Sequence, residues 1–258
     1  MLGSPASGEE VVDVELVLAV DVSMSMQRFE LEIQRRGYSE AIIHPLVLDA
    51  ISKGIHRKIA LTYVEWAGTG AQRTIVPWTL IDGPMAAQAI SEKLTSEQVL
   101  GMRRTSISGA IDHAVSLFKD NGFRGMKRVI DVSGDGPNNQ GRPVTDARDE
   151  AVAQGIIING LPLMTHDRSP FGAFDIDDLD EFYTHCVIGG PGSFMVPVND
   201  WDQFAEAIRR KLIVELAAVP YEQSDRLPVI RIAAEAPYDC LIGEKIWQQG
   251  RWRWDDSN

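Results

Sequence analysis

Apolar residues fill positions 14–20, interrupted only by Glu15, and the run shows no helical period. It reads as a buried strand. The period then changes. From 26 to 51, Phe29, Ile33, Ala41, Ile42, Val47 and Ile51 recur at helical spacing, and His44-Pro45 should kink or split that helix. Residues 58–66 and 73–80 read as strands joined by a turn at 68–70. So short a connection makes them an antiparallel hairpin, and Pro77 assigns the second strand to an edge. Helices are expected over 84–94, 108–119 and 144–154, with strands at 127–132 and 156–161 between them. A helix over 179–186, a last strand over 194–198 and a helix capped by Asp200 and reaching Leu216 complete the series. Ala205, Ile208, Leu212 and Leu216 form the expected buried face of the last helix.

This alternation predicts an α/β fold: a doubly wound, mainly parallel sheet of Rossmann-like type with one antiparallel edge strand and helices on both faces. The organisation expected is a leader over 1–11, disordered or left by cloning, a main domain over 12–216, and an extension over 217–258 packed on it. In the extension, 229–233 reads as one more strand, and Trp247, Trp252 and Trp254 as cover for apolar surface, with partner binding as the other reading.

Composition narrows the function. The formal net charge of −12 opposes nucleic acid and anionic membranes as main partners, since both need a basic surface. No stretch approaches the roughly 20 apolar residues of a membrane span. Residues 1–10 are small and polar, without the basic and apolar regions of a signal peptide. Cys186 and Cys240 fit no metal-ligand spacing, and on sequence alone they allow either one disulfide or two separate thiols.

The candidate chemistry lies where strands end. The first strand leads into Asp21-Val22-Ser23-Met24-Ser25, one carboxylate and two hydroxyls at alternate positions. Alone, such a stretch is equally a helix cap. Two further loops change that balance. Thr105 precedes a helix, and Asp135 follows the strand over 127–132. In a doubly wound sheet, loops leaving the carboxyl ends of strands share one edge. Asp21, Ser23, Ser25, Thr105 and Asp135 then supply two carboxylates and three hydroxyls, with no nitrogen or sulfur. That set suits Mg2+, with Mn2+ or Ca2+ as alternatives and Zn2+ a poor fit, and leaves a position for a partner's carboxylate. Thr69 is a competing threonine, and Asn138 and Asn139 read as the rim of the site.

The five residues, in this order and spacing, resemble the metal-ion-dependent adhesion site (MIDAS) of von Willebrand factor A domains, over about residues 12–216. With "YVEWAG", "TSIS", "VIDVSGDGPNN", "INGLP" and "VIGGPGSF", the chain resembles the DUF1194 group of bacterial von Willebrand A-type proteins. The resemblance implies a non-enzymatic module that binds a protein partner's Asp or Glu through the metal. It also implies a periplasmic or secreted home and a Cys186–Cys240 bridge.

Other sites weigh less. Ser133 to Asn139 is similar to the GDGxND loop of haloacid-dehalogenase-type phosphatases, which makes a metal-dependent phosphohydrolase with Asp21 as nucleophile the alternative function. Ser23 stands where those enzymes need an acid/base carboxylate. The five histidines show no metal-ligand pair. Trp66 reads as core. The acidic cluster of Asp175, Asp177, Asp178 and Asp180 reads as a solvated helix start rather than a second cation site.

Overall fold

The computed structural model describes residues 8–165, 176–217 and 238–255, with side chains to Gln249 in the last stretch. The expected strand over 229–233, Asp175, His166 and the side chains of Trp252 and Trp254 lie outside the described residues.

The long apolar run forms β1 (Glu10–Asp21), which sits at the centre of a five-stranded sheet of order β3-β2-β1-β4-β5. It starts four residues before the apolar run because Glu10 to Val12 pair with Phe123 to Gly125. β1 is parallel to β2 (Ile59–Trp66) on one side and to β4 (Phe123–Gly134) on the other, and β4 is parallel to β5 (Ile156–Pro162). β3 (Gln72–Ile81) pairs antiparallel with β2 at the edge, and the ladder shifts register around Thr62, opposite Pro77.

Alternate β1 side chains enter two cores. Val14, Leu16, Leu18 and Val20 face one packed by α1 (Arg28–Ile42), α2 (Pro45–Ser52), α3 (Pro84–Ser96) and, beyond β5, α7 (Phe204–Leu216). Val17 and Ala19 face the other, packed by α4 (Ile107–Leu117) and α5 (Val144–Ala153). Parallel strands covered on both faces read as continuous apolar runs, as β1 does. No helix among the described residues is long and apolar enough to cross a membrane.

The helix over 26–51 splits as expected, where His44 caps α2 ahead of Pro45. Several other expectations are corrected. Phe29 is exposed; the buried stripe of α1 instead includes Gln34 and Arg35. Arg35 is buried because it pairs with Glu65 of β2, which also accepts from Arg73 of β3 at 2.8 Å. Ala205 is only half-buried, and Lys211 and Glu215 take core positions. Residues 194–198 form no strand. They touch β5 through isolated bridges, Gly160 to Met195 and Leu163 to Val198. The reason is chemical: the Gly160 amide donates to Phe194 and the Met164 amide to Val198, but Pro162 between them has no N–H to donate, so the ladder is interrupted there. Helix α6 (Leu179–Phe182) runs on as a π-helical turn, Tyr183–Val187. Asp200 caps a 3-10 turn leading into α7.

Lys211 of α7 is buried between Asp131 of β4 and Glu215. Its ammonium lies 2.6 Å from Asp131 Oδ1, although the angle leaves neither Asp131 oxygen a well-formed hydrogen bond. Burial, then the Glu215 charge, push the Asp131 carboxyl up to about 7, against the pull of Lys211. The fold thus favours protonated Asp131. The stability linked to it is complete below about 3.8 and is lost as pH rises through about 7. Urea midpoints at pH 5 and pH 8 should show it. Wild type is expected to lose on the order of 1 kcal/mol more between them than Asp131→Asn, and equal losses would exclude Asp131 as the titrating group.

Candidate metal centre

Asp21 is the last residue of β1 and has no exposed surface. One carboxylate oxygen, Oδ1, accepts from the Ser23 amide at 2.7 Å, which folds the following loop back over the strand end. The other, Oδ2, is buried without a well-formed hydrogen bond. Ser23 and Ser25 hydroxyls are 2.8 Å apart, and the Ser25 hydroxyl donates to Asp135 Oδ1 at 2.8 Å. Four of the five expected residues therefore form one contiguous cluster.

Thr105 joins it through the backbone. The Met102 amide donates to the Val22 carbonyl at 2.8 Å, tying the loop before α4 to the loop after β1. The Thr105 amide donates to Asn139 Oδ1 at 3.1 Å, and the Asn139 amide returns a bond to the Thr105 carbonyl at 2.9 Å. Asn138 is fully buried. Its Oδ1 accepts from the Ser108 amide at 3.1 Å and its Nδ2 donates to the Arg142 carbonyl at 3.3 Å. The two asparagines are thus the rivets between the Thr105 and Asp135 loops. Arg104, just before Thr105, is held at φ +76°, a left-handed conformation that costs a non-glycine residue energy. The competing Thr69 is exposed, and its hydroxyl donates to Ser106, the N-cap of α4, at 3.2 Å.

Electrostatics and donor chemistry suit a hard cation. Burial, then the like charge of Asp135, hold the Asp21 carboxyl well above the usual carboxylate range, and the Ser23 and Asp135 amides relieve it less. Two carboxylates forced together in a dry site are destabilised as anions, and a divalent ion reverses that penalty. All the side-chain donors are oxygens, as Mg2+ or Mn2+ prefers.

Sequence reasoning missed two parts of this wall. Gly134 packs so closely that an added Cβ would stand 2.9 Å from both Asp21 Oδ2 and the Tyr183 hydroxyl. The hydroxyl of Tyr183, on the π-helical turn, is buried without a hydrogen-bond partner. Gly134, between Ser133 and Asp135, carried a readable signal; Tyr183, in another segment, carried none. The acidic residues Asp177, Asp178 and Asp180 flank α6 and form no metal cluster among the described residues. Trp66 is fully buried, as expected. The Cys186 and Cys240 sulfurs lie at a bonding distance of 2.00 Å, joining the π-helical turn to the segment before helix α8 (Ile242–Asp255). Beside the loops, Arg104, Asn139, Gly141, Glu244 and Trp247 help to line a cleft of about 340 Å³.

A family model described as "Protein of unknown function (DUF1194)" matches residues 11–220. No curated protein matches the chain. Among solved structures, a von Willebrand factor type A structure from Catenulispora acidiphila is 14% identical, over 80% of this chain and 43% of that one, with a TM-score of 0.56. Proximal thread matrix protein 1 from the mussel byssus, with a zinc-occupied MIDAS motif, is 13% identical over 81% of this chain and 49% of that one, at 0.57. BatB from Bacteroides thetaiotaomicron, a conserved hypothetical protein, is 19% identical over 79% of this chain and 98% of that one, at 0.51. The chain thus spans less than half the length of the first two. At these identities the likeness establishes the fold, a von Willebrand A-type sheet.

Removing a rivet should be felt without any metal. Asn138→Ala strands the buried Ser108 amide and is expected to cost about 1–3 kcal/mol in urea denaturation. Thr69→Ala, at an exposed hydroxyl, should stay within about 0.5 kcal/mol of wild type. Equal costs would contradict the assignment of the two loops.

Proposed function

This chain belongs to the DUF1194 family, and from that membership and the geometry of its sheet edge we propose that it is a metal-dependent protein-binding module. Asp21, Ser23, Ser25, Thr105 and Asp135 hold a divalent cation, Mg2+ first and Mn2+ or Ca2+ as alternatives, in a MIDAS. When bound, the cation supplies a Lewis-acidic position that accepts an Asp or Glu carboxylate of a protein partner. The observation that carries this reading is the contiguous cluster running from Asp21 through Ser23 and Ser25 to Asp135, with Asp21 Oδ2 left without a hydrogen bond. The zinc-occupied MIDAS of the mussel byssus protein supports it by analogy of fold. The net charge of −12 favours capture through a cation over direct binding of an acidic partner, which the bare surface repels.

The residues divide the work. Asp21 and Asp135 supply the charge that retains the ion, and the three hydroxyls add neutral donors. Two carboxylates nearly neutralise a divalent ion while leaving it able to accept one more anion. The Asn138 and Asn139 rivets hold the loops in register before the ion arrives, so little ordering remains to be done on binding.

The module is not an enzyme in this reading. A phosphatase would need a second carboxylate at Ser23 and a reactive nucleophile at Asp21. The Asp21 carboxylate is wholly buried, with Oδ1 on the Ser23 amide. We place the protein in the periplasm or outside the cell, where an oxidising environment keeps the Cys186–Cys240 bond closed. The binding domain begins with β1 at Glu10, two residues inside the expected leader, and runs to 216, with an extension over 217–258.

Thermal melts with and without Mg2+ test the site. Wild type is expected to gain about 2.7 kcal/mol of stability at an Mg2+ concentration 100 times its Kd. Asp135→Asn and Thr105→Ala should abolish or sharply reduce that gain, and Thr69→Ala should keep it. Without metal, Asp135→Asn should be no less stable than wild type, because it removes the like charge beside Asp21. An undiminished Mg2+ response in Asp135→Asn would sink the site, and partner capture that survives a chelator would sink the carboxylate mechanism.

A further inference from the structure

The family-matching residues end at 220, yet helix α8, which starts at Ile242, is built into the sheet edge. Glu244 Oε1 accepts from Asn138 Nδ2 at 2.7 Å. That bond fixes which way the Asn138 amide points: the NH2 group faces Glu244 and the carbonyl oxygen faces the Ser108 amide. Gly243 lies so close that an added Cβ would stand 2.1 Å from the main-chain carbonyl oxygen of Asn138. On the outer side, the Arg104 guanidinium lies 3.6 Å from the centre of the Trp247 ring. The contacts of α8 therefore fall on both loops, the one that carries Thr105 and the one that carries Asp135.

The segment before α8 is fastened as well. Tyr238 stacks on His185 of the π-helical turn with an interplanar angle of 8°, and Cys240 is joined to Cys186 of the same turn. Without that fastening, the contacts of Ile242, Glu244 and Trp247 must by themselves offset the entropy of ordering α8.

We propose that α8 is a positioning element of the metal centre: Glu244 sets the Thr105 and Asp135 loops through Asn138, and the Cys186–Cys240 bond keeps α8 where Glu244 can do so. This rests on the metal-binding reading above. Its consequence is that cation affinity depends on a residue that donates nothing to the ion, and on the oxidation state of a cysteine pair outside the cluster. Partners that orient metal ligands from outside the coordination sphere typically carry 10–100-fold in metal affinity.

The test measures Mn2+ affinity by electron paramagnetic resonance, with amide exchange of the metal-free protein beside it. Glu244→Ala should weaken Mn2+ binding about tenfold, at the low end of that range, and speed exchange at the Ser108 and Thr105 amides. Glu244→Gln keeps an acceptor oxygen for Asn138 and should restore both to near wild type. Replacing both Cys186 and Cys240 by Ser should match Glu244→Ala, and adding Glu244→Ala to that variant should weaken binding no further, because the two act through one linkage. Unchanged Mn2+ affinity in Glu244→Ala would overturn the proposal, even if its melting temperature fell. Normal affinity in the cysteine variant would overturn the tether. Wild type that binds no Mn2+ would overturn the proposed function itself, and this inference with it.

Discussion

The central strand is buried on both faces, and much of the rest follows from that. β1 cannot slip by one residue without turning Val14, Leu16, Leu18 and Val20 out of one core and Val17 and Ala19 out of the other. Its register is fixed on both flanks, Asp21 against Trp66 and Val20 against Ser133. The place where the strand stops is therefore set by the whole sheet, and the place where it stops is a carboxylate. A site built this way draws its precision from two hydrophobic cores rather than from the short loop that displays it.

The chain treats buried charge in two ways. Below the strand ends, Lys211 supplies the counter-charge for Glu215 from within the chain, and the Asp131 carboxyl beside them is pushed toward its protonated form. At the strand ends, Asp21 and Asp135 share hydroxyl and amide contacts, and the Asp135 charge works against Asp21. The first arrangement closes on itself. The second leaves one oxygen of Asp21 without a hydrogen bond and two carboxylates within electrostatic reach of each other. The two clusters differ in whether the chain itself supplies a counter-charge: Lys211 does so in the first, and in the second Asp21 and Asp135 meet only hydroxyls and amides.

The sheet was legible in the sequence because apolar runs and Pro77 carry their message locally. The alternation of strand and helix placed Asp21, Thr105 and Asp135 at one edge before any coordinates were needed. What escaped was set by tertiary context. Arg35 occupies a core-facing helix position because Glu65, thirty residues away, awaits it. Lys211 and Glu215 hide in α7 for the same reason, and no periodicity of apolar residues could include them. The segment over 194–198 is apolar enough for a strand, but it lies beside Pro162, whose missing N–H interrupts the pairing. Glu244 was invisible: nothing in its surroundings in sequence links it to Asn138, which it meets only through the fold.

Both ends of the sheet are spoiled as templates for a further strand. At one end, β3 carries Pro77 beside a shift in register. At the other, residues 194–198 lie along β5 and take up part of its bonding capacity, with the Gly160 and Leu163 bridges spaced around prolines. A row of free amides and carbonyls is what lets sheets zip together into dimers or fibres, and this molecule offers no long one among its described residues. Both edges are thereby poor templates for pairing, and the loop end of the sheet, with Asp21, Ser23, Ser25 and Asp135, is left as the chemically distinctive face.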